Sequence, residues 1–149
     1  MAVAASTLVR DILFFIKDDI STNVTDPISS TRGSSSSFVM TSFPQRAVEY
    51  PLIVIKMTNA EVFRAGMQTT NMDYIINIEV RVWARNQKEK DELYNDILER
   101  LRTIQFTAST GSIANNLHDF NVLSSVEVDE EGTGKPKSRI MEVQYKFFN

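Results

Sequence analysis

The chain has 149 residues, 42% of them hydrophobic and 23% charged, with a formal net charge of −3 and no cysteine. A chain of that size suits one domain, which buries roughly 68–70% of its unfolded surface without a covalent staple, and the missing cysteine excludes disulfides, thiolate chemistry and cysteine-held metals. The acidic balance lacks the basic footprint of a nucleic-acid-binding protein, and no segment approaches the ~20 apolar residues of a membrane span.

Ser6 or Thr7 can cap a first helix that runs to about Ile20. At about 100° per residue, Leu8, Val9, Ile12, Leu13, Phe15, Ile16 and Ile20 share one wide face, with Arg10, Asp11, Lys17 and Asp18 opposite. The same charges interrupt any apolar core of a secretory signal, so the Asn23-Val24-Thr25 sequon is expected to be accidental. Phe14 falls among the charges. It reads either as a singly exposed aromatic or as a contact with a neighbouring subunit.

Asp26-Pro27 ends the helical pattern. Residues 29–37, SSTRGSSSS, hold no apolar side chain to bury and read as a flexible loop. A single helix precedes them, which argues for a binding loop, with Arg32 in it, over an interdomain linker. Phe38 to Phe43 is a short strand candidate. Leu52 to Met57 is a near-continuous apolar run expected as a central strand. Thr58 to Thr70 takes no firm assignment; Ala65-Gly66 suggests a turn, and Val62-Phe63 pack locally.

Met72 to Arg85 is the clearest strand. Ile76, Ile78, Val80, Val82 and Ala84 point one way, and Asn77, Glu79, Arg81, Trp83 and Arg85 the other. Strict alternation predicts one buried and one polar face. Trp83, the only tryptophan, lies on the polar side. It either anchors an interface or covers the end of the sheet under a loop. Asn86 and Glu89 form a close variant of the capping box, opening a second helix to about Arg102 with Leu93, Tyr94, Ile97, Leu98, Leu101 and Ile104 in its stripe. Phe120 to Asp129 and Ile140 to Phe147 then alternate as two strands of a hairpin, with Phe120, Val122, Ser124, Val126 and Val128 expected on one face. Residues 129–137, holding Asp129, Glu130 and Glu131, form its long, mobile, charged tip.

The order helix, strands, helix, hairpin predicts a single α+β domain over 1–149. A mostly antiparallel sheet is covered on one face by two amphipathic helices.

The residues point to no catalysis. His118 is the only histidine, and Asp119 beside it is expected on the opposite face of its strand. With one histidine and no cysteine, a zinc site needs three carboxylates. Gly132-Thr133-Gly134-Lys135 lacks the spacing, the following Ser or Thr and the helix of a phosphate loop. The acidic cluster Asp129-Glu130-Glu131 lacks the ligand spacing of a calcium loop. No enzyme activity, cofactor or metal is therefore expected.

From Tyr50 to Leu101 the chain resembles the tail-completion, or tail-terminator, proteins of tailed phages and related viruses. The likeness rests on a pattern. Pro51 precedes the short apolar strand Leu52-Ile53-Val54-Ile55. A long alternating strand then ends in Val80-Arg81-Val82-Trp83-Ala84-Arg85. A capped entry at Asn86 to Glu89 leads into a helix spaced as Leu93, Ile97 and Leu101. The resemblance implies a structural virion protein, assembled in the host cytoplasm and placed at the tail or neck. Its subunits would close into a ring, usually a hexamer, that caps the tail tube, stops its polymerisation and joins the tail to the head connector. Partners would be further copies of the chain, the tail tube protein and a head-completion or connector protein, with DNA passing through the lumen without specific binding. A ring uses two different patches per subunit; Phe14, Arg32, Arg81, Trp83 and Arg85 are the interface candidates, and Asp129, Glu130 and Glu131 the lumen or tip candidates. Another neck component, or a protein-binding adaptor outside the virion, are the competing expectations.

Overall fold

The computed structural model describes residues 3–34, 36–44, 48–64, 66–67, 71–107, 111–112, 115–129 and 136–148. The chain is α+β, with two helices and one five-stranded mixed sheet. A 3-10 turn, Ala5–Thr7, leads into α1, Leu8–Asn23; β1 is Val39–Met40, β2 Leu52–Arg64 and β3 Met72–Ala84; α2 is Gln87–Gln105; β4 is Leu117–Asp129 and β5 Lys137–Phe148.

The expected order is amended at its start by that 3-10 turn, and the sheet order differs from chain order. It runs β1-β2-β3-β5-β4. The β1–β2 pair is parallel and the other three pairs are antiparallel. Helix α2 therefore carries the chain from β3 past one strand position to the outer strand β4, and β5 returns between them. The Leu52–Met57 run lies between β1 and β3, as expected of a central strand, but only its start is flanked on both sides. β1 flanks β2 only at Ile53 and Val54, and the strand continues seven residues beyond Met57 to Arg64, through an irregularity between Met57 and Asn59.

The core fills the space between the helices and one sheet face. Ile12, Ile16 and Ile20 of α1 and Leu93, Ile97 and Leu101 of α2 are buried there. The sheet contributes alternate residues, among them Ile53, Ile55, Ile76, Ile78, Val80, Val143 and Tyr145. This follows from the two-residue side-chain period of a strand meeting the 3.6-residue period of a helix. Arg100 of α2 clamps Asp19 of α1, its Nε at 2.9 Å and its Nη2 at 2.6 Å from the carboxylate oxygens, and so fixes one helix against the other.

The start of α1 is built differently from expectation, while the Asn86 cap of α2 is present. Thr7 stands at the N-cap of α1 but caps no backbone N–H. Its hydroxyl donates to Asp11 Oδ2 at 2.5 Å, and Ala4 N–H reaches the same oxygen at 3.2 Å. That hydroxyl, with the Ala4 N–H and Arg10, holds the Asp11 carboxyl below its ordinary pKa. At α2, Asn86 Oδ1 accepts from Glu89 N at 2.9 Å, as a capping box requires. Glu89 reaches back one residue further, to Arg85 N at 3.1 Å. Past α2, Gly111 is sterically obligatory: a Cβ there would collide with the carbonyl oxygens of Thr107 and Ile104.

Strand β4 departs most from simple alternation. Its pairing with β5 slips between His118 and Asn121 and again between Val122 and Ser124, and Asp119 takes a φ of 52° in the first slip. A bulge re-aims every side chain beyond it. Val122 pairs with core-facing Val143, whereas Val126 pairs with Ile140 on the far side. The expected single face from Phe120 to Val128 is thus split. Val126 is 52% exposed away from the helices, and Glu127, opposite Arg139, is turned toward α2.

Candidate interaction surfaces

Two strand edges and one sheet face remain without a helix or strand over them among the described residues. The first edge is β2 beyond its short contact with β1, from Ile55 to Arg64; the second is β4 past its start, where Leu117 N donates to Ser112 O at 2.8 Å and Leu117 O accepts from the buried Gln105 Nε2 at 3.2 Å. An edge presents a row of backbone donors and acceptors to any strand that fits. The directions along β2-β3-β5-β4 alternate at each pair, so the two edges run antiparallel to each other.

The face turned away from the helices is crossed by rows of residues in register. Asn59, Asn77, Gln144 and Asn121 form one row of amides across four strands, and Gln144 Nε2 donates to Asn77 Oδ1 at 3.1 Å. Next to it lie Lys56, Glu79, Glu142 and Ser124, with Lys56 and Glu79 3.7 Å apart. This half of the face is polar and nearly balanced in charge.

Its other half is aromatic. Trp83 packs against Phe43 at 5.2 Å and Tyr50 at 6.5 Å between ring centroids, and the Arg81 guanidinium lies 4.0 Å over the indole. Phe43 and Tyr50 belong to the segment that follows β1, so Trp83 is covered by a loop at one end of the sheet. Of its two sequence readings, this geometry fits the cover. Arg81 Nη2 also donates to Ser138 Oγ at 3.3 Å, which places Arg81 and Trp83 in one stack.

The other interface candidates are dispersed. Phe14 stands 44% exposed on α1. Arg85 pairs with Glu89 at 2.5 Å; burial alone would raise the Glu89 carboxyl, but the Arg85 side chain and N–H outweigh it and hold its pKa low. Arg32 is no open loop residue. Its side chain is 7% exposed. It grips Asp26 at 2.6 and 3.0 Å and donates to Glu49 O at 3.0 Å and Pro51 O at 2.5 Å. It therefore pins the Ser-rich segment to the start of β2, and is occupied inside the fold. Asp129 ends β4 opposite Lys137; Glu130 and Glu131, with the rest of the expected hairpin tip through 135, lie outside the described residues.

Sequence reasoning missed Lys90. It is fully buried in the first turn of α2 and ion-paired with Glu127 of β4. The pair exists because the β4 bulges turn Glu127 inward, and no local pattern carries that information. It also missed Phe106, 81% exposed just past α2, whose signal was an aromatic one step beyond the end of an apolar stripe.

Phe106 borders an open groove of about 500 Å³ between the end of α2 and the start of β4, with Phe120, His118, Asp119, Glu99 and Arg102 around it. His118 stacks on Phe148 at 5.2 Å and Asp119 pairs with Lys146 at 3.1 Å. The two neighbours are separately occupied, and they do not form a base and its orienting acid. Among the described residues no group of three or more His, Asp or Glu side chains is placed to hold a metal ion, and no helix is long and apolar enough to cross a membrane. No family model and no curated protein matches the chain.

Proposed function

We propose that this protein is a structural assembly subunit, a tail-terminating ring protein of a tailed virus, and not an enzyme. The observation that supports the reading best is the pair of open antiparallel edges on opposite sides of one sheet. Four alternating strands lie between and including them. A rotation that sets a second copy beside the first therefore continues the alternation, β4 of one copy against β2 of the next. Such a contact joins two different patches, so its repetition gives a ring when the rotation closes.

The helix-free face supports the ring reading further. With the helices outward, that face lines the hole. Its amide row and its offsetting Lys56, Glu79, Glu142 and Lys146 offer little net positive charge to a passing phosphate backbone. Each avoided phosphate contact removes salt-dependent grip, which suits DNA transit without binding. Placement in the virion, the hexameric copy number and contacts with tube and connector come from the resemblance.

The test is native mass spectrometry with negative-stain imaging of the same sample, followed by addition of purified tail tubes. Closed rings of about six copies that cap tube ends are the expected outcome. Rings that ignore tube ends and bind connector rings would move the protein to another neck position. A chain that stays monomeric, with or without tubes, would sink the proposal.

A further inference from the structure

We propose that neighbouring copies join edge to edge in one staggered register. Lys56–Phe63 of β2 in one copy pairs antiparallel with Asn121–Val128 of β4 in the next, with Val62 opposite Val122 and Glu61 opposite Ser124. This rests on the assembly reading above and names its interface.

The first argument is where the two edges are free. β1 holds β2 at Ile53 and Val54, and the start of β4 is closed at Leu117 by Ser112 and Gln105. The free stretches, β2 beyond Ile55 and β4 from Asn121, therefore lie toward opposite ends of the sheet. Copies joined level, row to row, would set free edge against occupied edge. A stagger sets free edge against free edge. Within one copy Ser124 shares a row with Lys56, through Glu142 and Glu79. Moving it opposite Glu61 of the next copy advances the row by four paired positions along β2, since Thr58 drops out of the pairing at the irregularity.

Four positions across four strands is one residue per strand. With about 3.3 Å per residue and about 4.8 Å between strands, that tilts the strands by about 35°. Closed sheets need a tilt of about 35–45°, and an eight-stranded barrel with the same ratio of stagger to strands has about 36°. The offset between the free stretches thus matches what closing the sheet on itself requires, whatever the number of copies.

The side chains supply the second argument. Val122 continues the helix-side row of Ile78 and Val143, and Val62 of the next copy extends it on the same face. Val62, Phe63, Leu123 and Val126, all 44–53% exposed, lie on the joined stretches. No like charges stand opposite each other. A slip of one residue turns Val62 to the wrong face. A slip of two in one direction sets Arg64 against Val122 and Val62 against Ser125. In the other direction it sets Val128 against Val54, whose edge β1 already holds.

The chain has no cysteine, so Glu61→Cys and Ser124→Cys, both at exposed positions, give a clean disulfide test. Within one copy they lie three strand spacings apart, at least about 14 Å, beyond the roughly 7 Å Cα separation a disulfide tolerates. A mixture of the two single variants should cross-link under mild oxidation into a heterodimer, and Glu61→Cys mixed with Val126→Cys, which reports the slip of two, should not. Val62→Asp should weaken self-association at least about tenfold. Val9→Asp, as exposed but on α1, should change it less than about twofold. Circular dichroism checks that each variant is folded. Rings that cross-link at 61–126 instead of 61–124, or that ignore Val62→Asp, would overturn this interface and leave the ring reading standing. A wild-type chain that stays monomeric, with or without tubes, would overturn both.

Discussion

Lys90 and Glu127 are ion-paired between α2 and β4, with the lysine wholly out of solvent and the glutamate 37% exposed. Gln87 completes the arrangement: its Oε1 accepts from Lys90 Nζ and its Nε2 donates to Glu127 Oε1, each at 3.0 Å. The two partners differ in what they leave behind when the other is removed. Glu127→Ala leaves a buried ammonium without its carboxylate, held by Gln87 Oε1 but with its charge uncompensated by Glu127, and should cost about 2–3 kcal/mol. Lys90→Met leaves a carboxylate that water reaches, and should change stability by less than about 1 kcal/mol. Urea denaturation of both variants tests this asymmetry; equal losses would refute it.

The α2 cap makes a second prediction. Asn86→Ala removes the acceptor for Glu89 N and should cost about 1 kcal/mol. Gly111→Ala should cost more, about 1–3 kcal/mol, because the new methyl meets two backbone carbonyls that cannot swing aside. Thermal melts rank the two, and an unchanged Tm for Gly111→Ala would mean the turn after α2 relaxes freely.

Arg32 should not tolerate lysine. It reaches a carboxylate and two carbonyls through different nitrogens of one planar group, and an ammonium cannot span that set. Arg32→Lys should destabilise by about 2 kcal/mol. Ring formation by the folded fraction should remain, since the side chain points into its own fold. Selective loss of rings at unchanged stability would return Arg32 to the interface.

The pH dependence should be one-sided. Burial raises the Asp26 carboxyl, but the hydrogen bonds from Arg32 and Ile28 N–H and the nearby charge outweigh it; Glu89 is held low in the same way by Arg85. Both have folded pKa values below the unfolded ones. Their contribution is therefore complete above the ordinary carboxylate value of about 4 and is lost as pH falls through the folded values. Tm should be flat from neutral pH to about 5 and fall steeply below about 4. Asp26→Asn should make that fall shallower; an unchanged slope would exclude Asp26 as a contributor.

Where a segment has one strong period, the sequence was enough. The Ile76-to-Ala84 alternation placed its residues on the correct faces because each strand residue flips by half a turn whatever surrounds it. The α2 stripe and the Asn86 cap were legible for the same reason: donor, acceptor and apolar face lie within one or two turns of chain. The loop at 29–37 was not, because Arg32 finds its partners as far away as Pro51, through contacts that composition cannot record.

The sequence by itself determined two helices, their buried faces, the alternating strands and the absence of cysteine chemistry, since all of these are local periods or plain composition. Only the tertiary structure decided that β5 inserts between β3 and β4, that β2 is left open past Ile55, and that Val126 and Glu127 trade faces. Strand order and bulges depend on backbone hydrogen bonds between distant segments, and any side chain can make those bonds. The edges on which the assembly proposal rests are therefore visible only once the sheet is built.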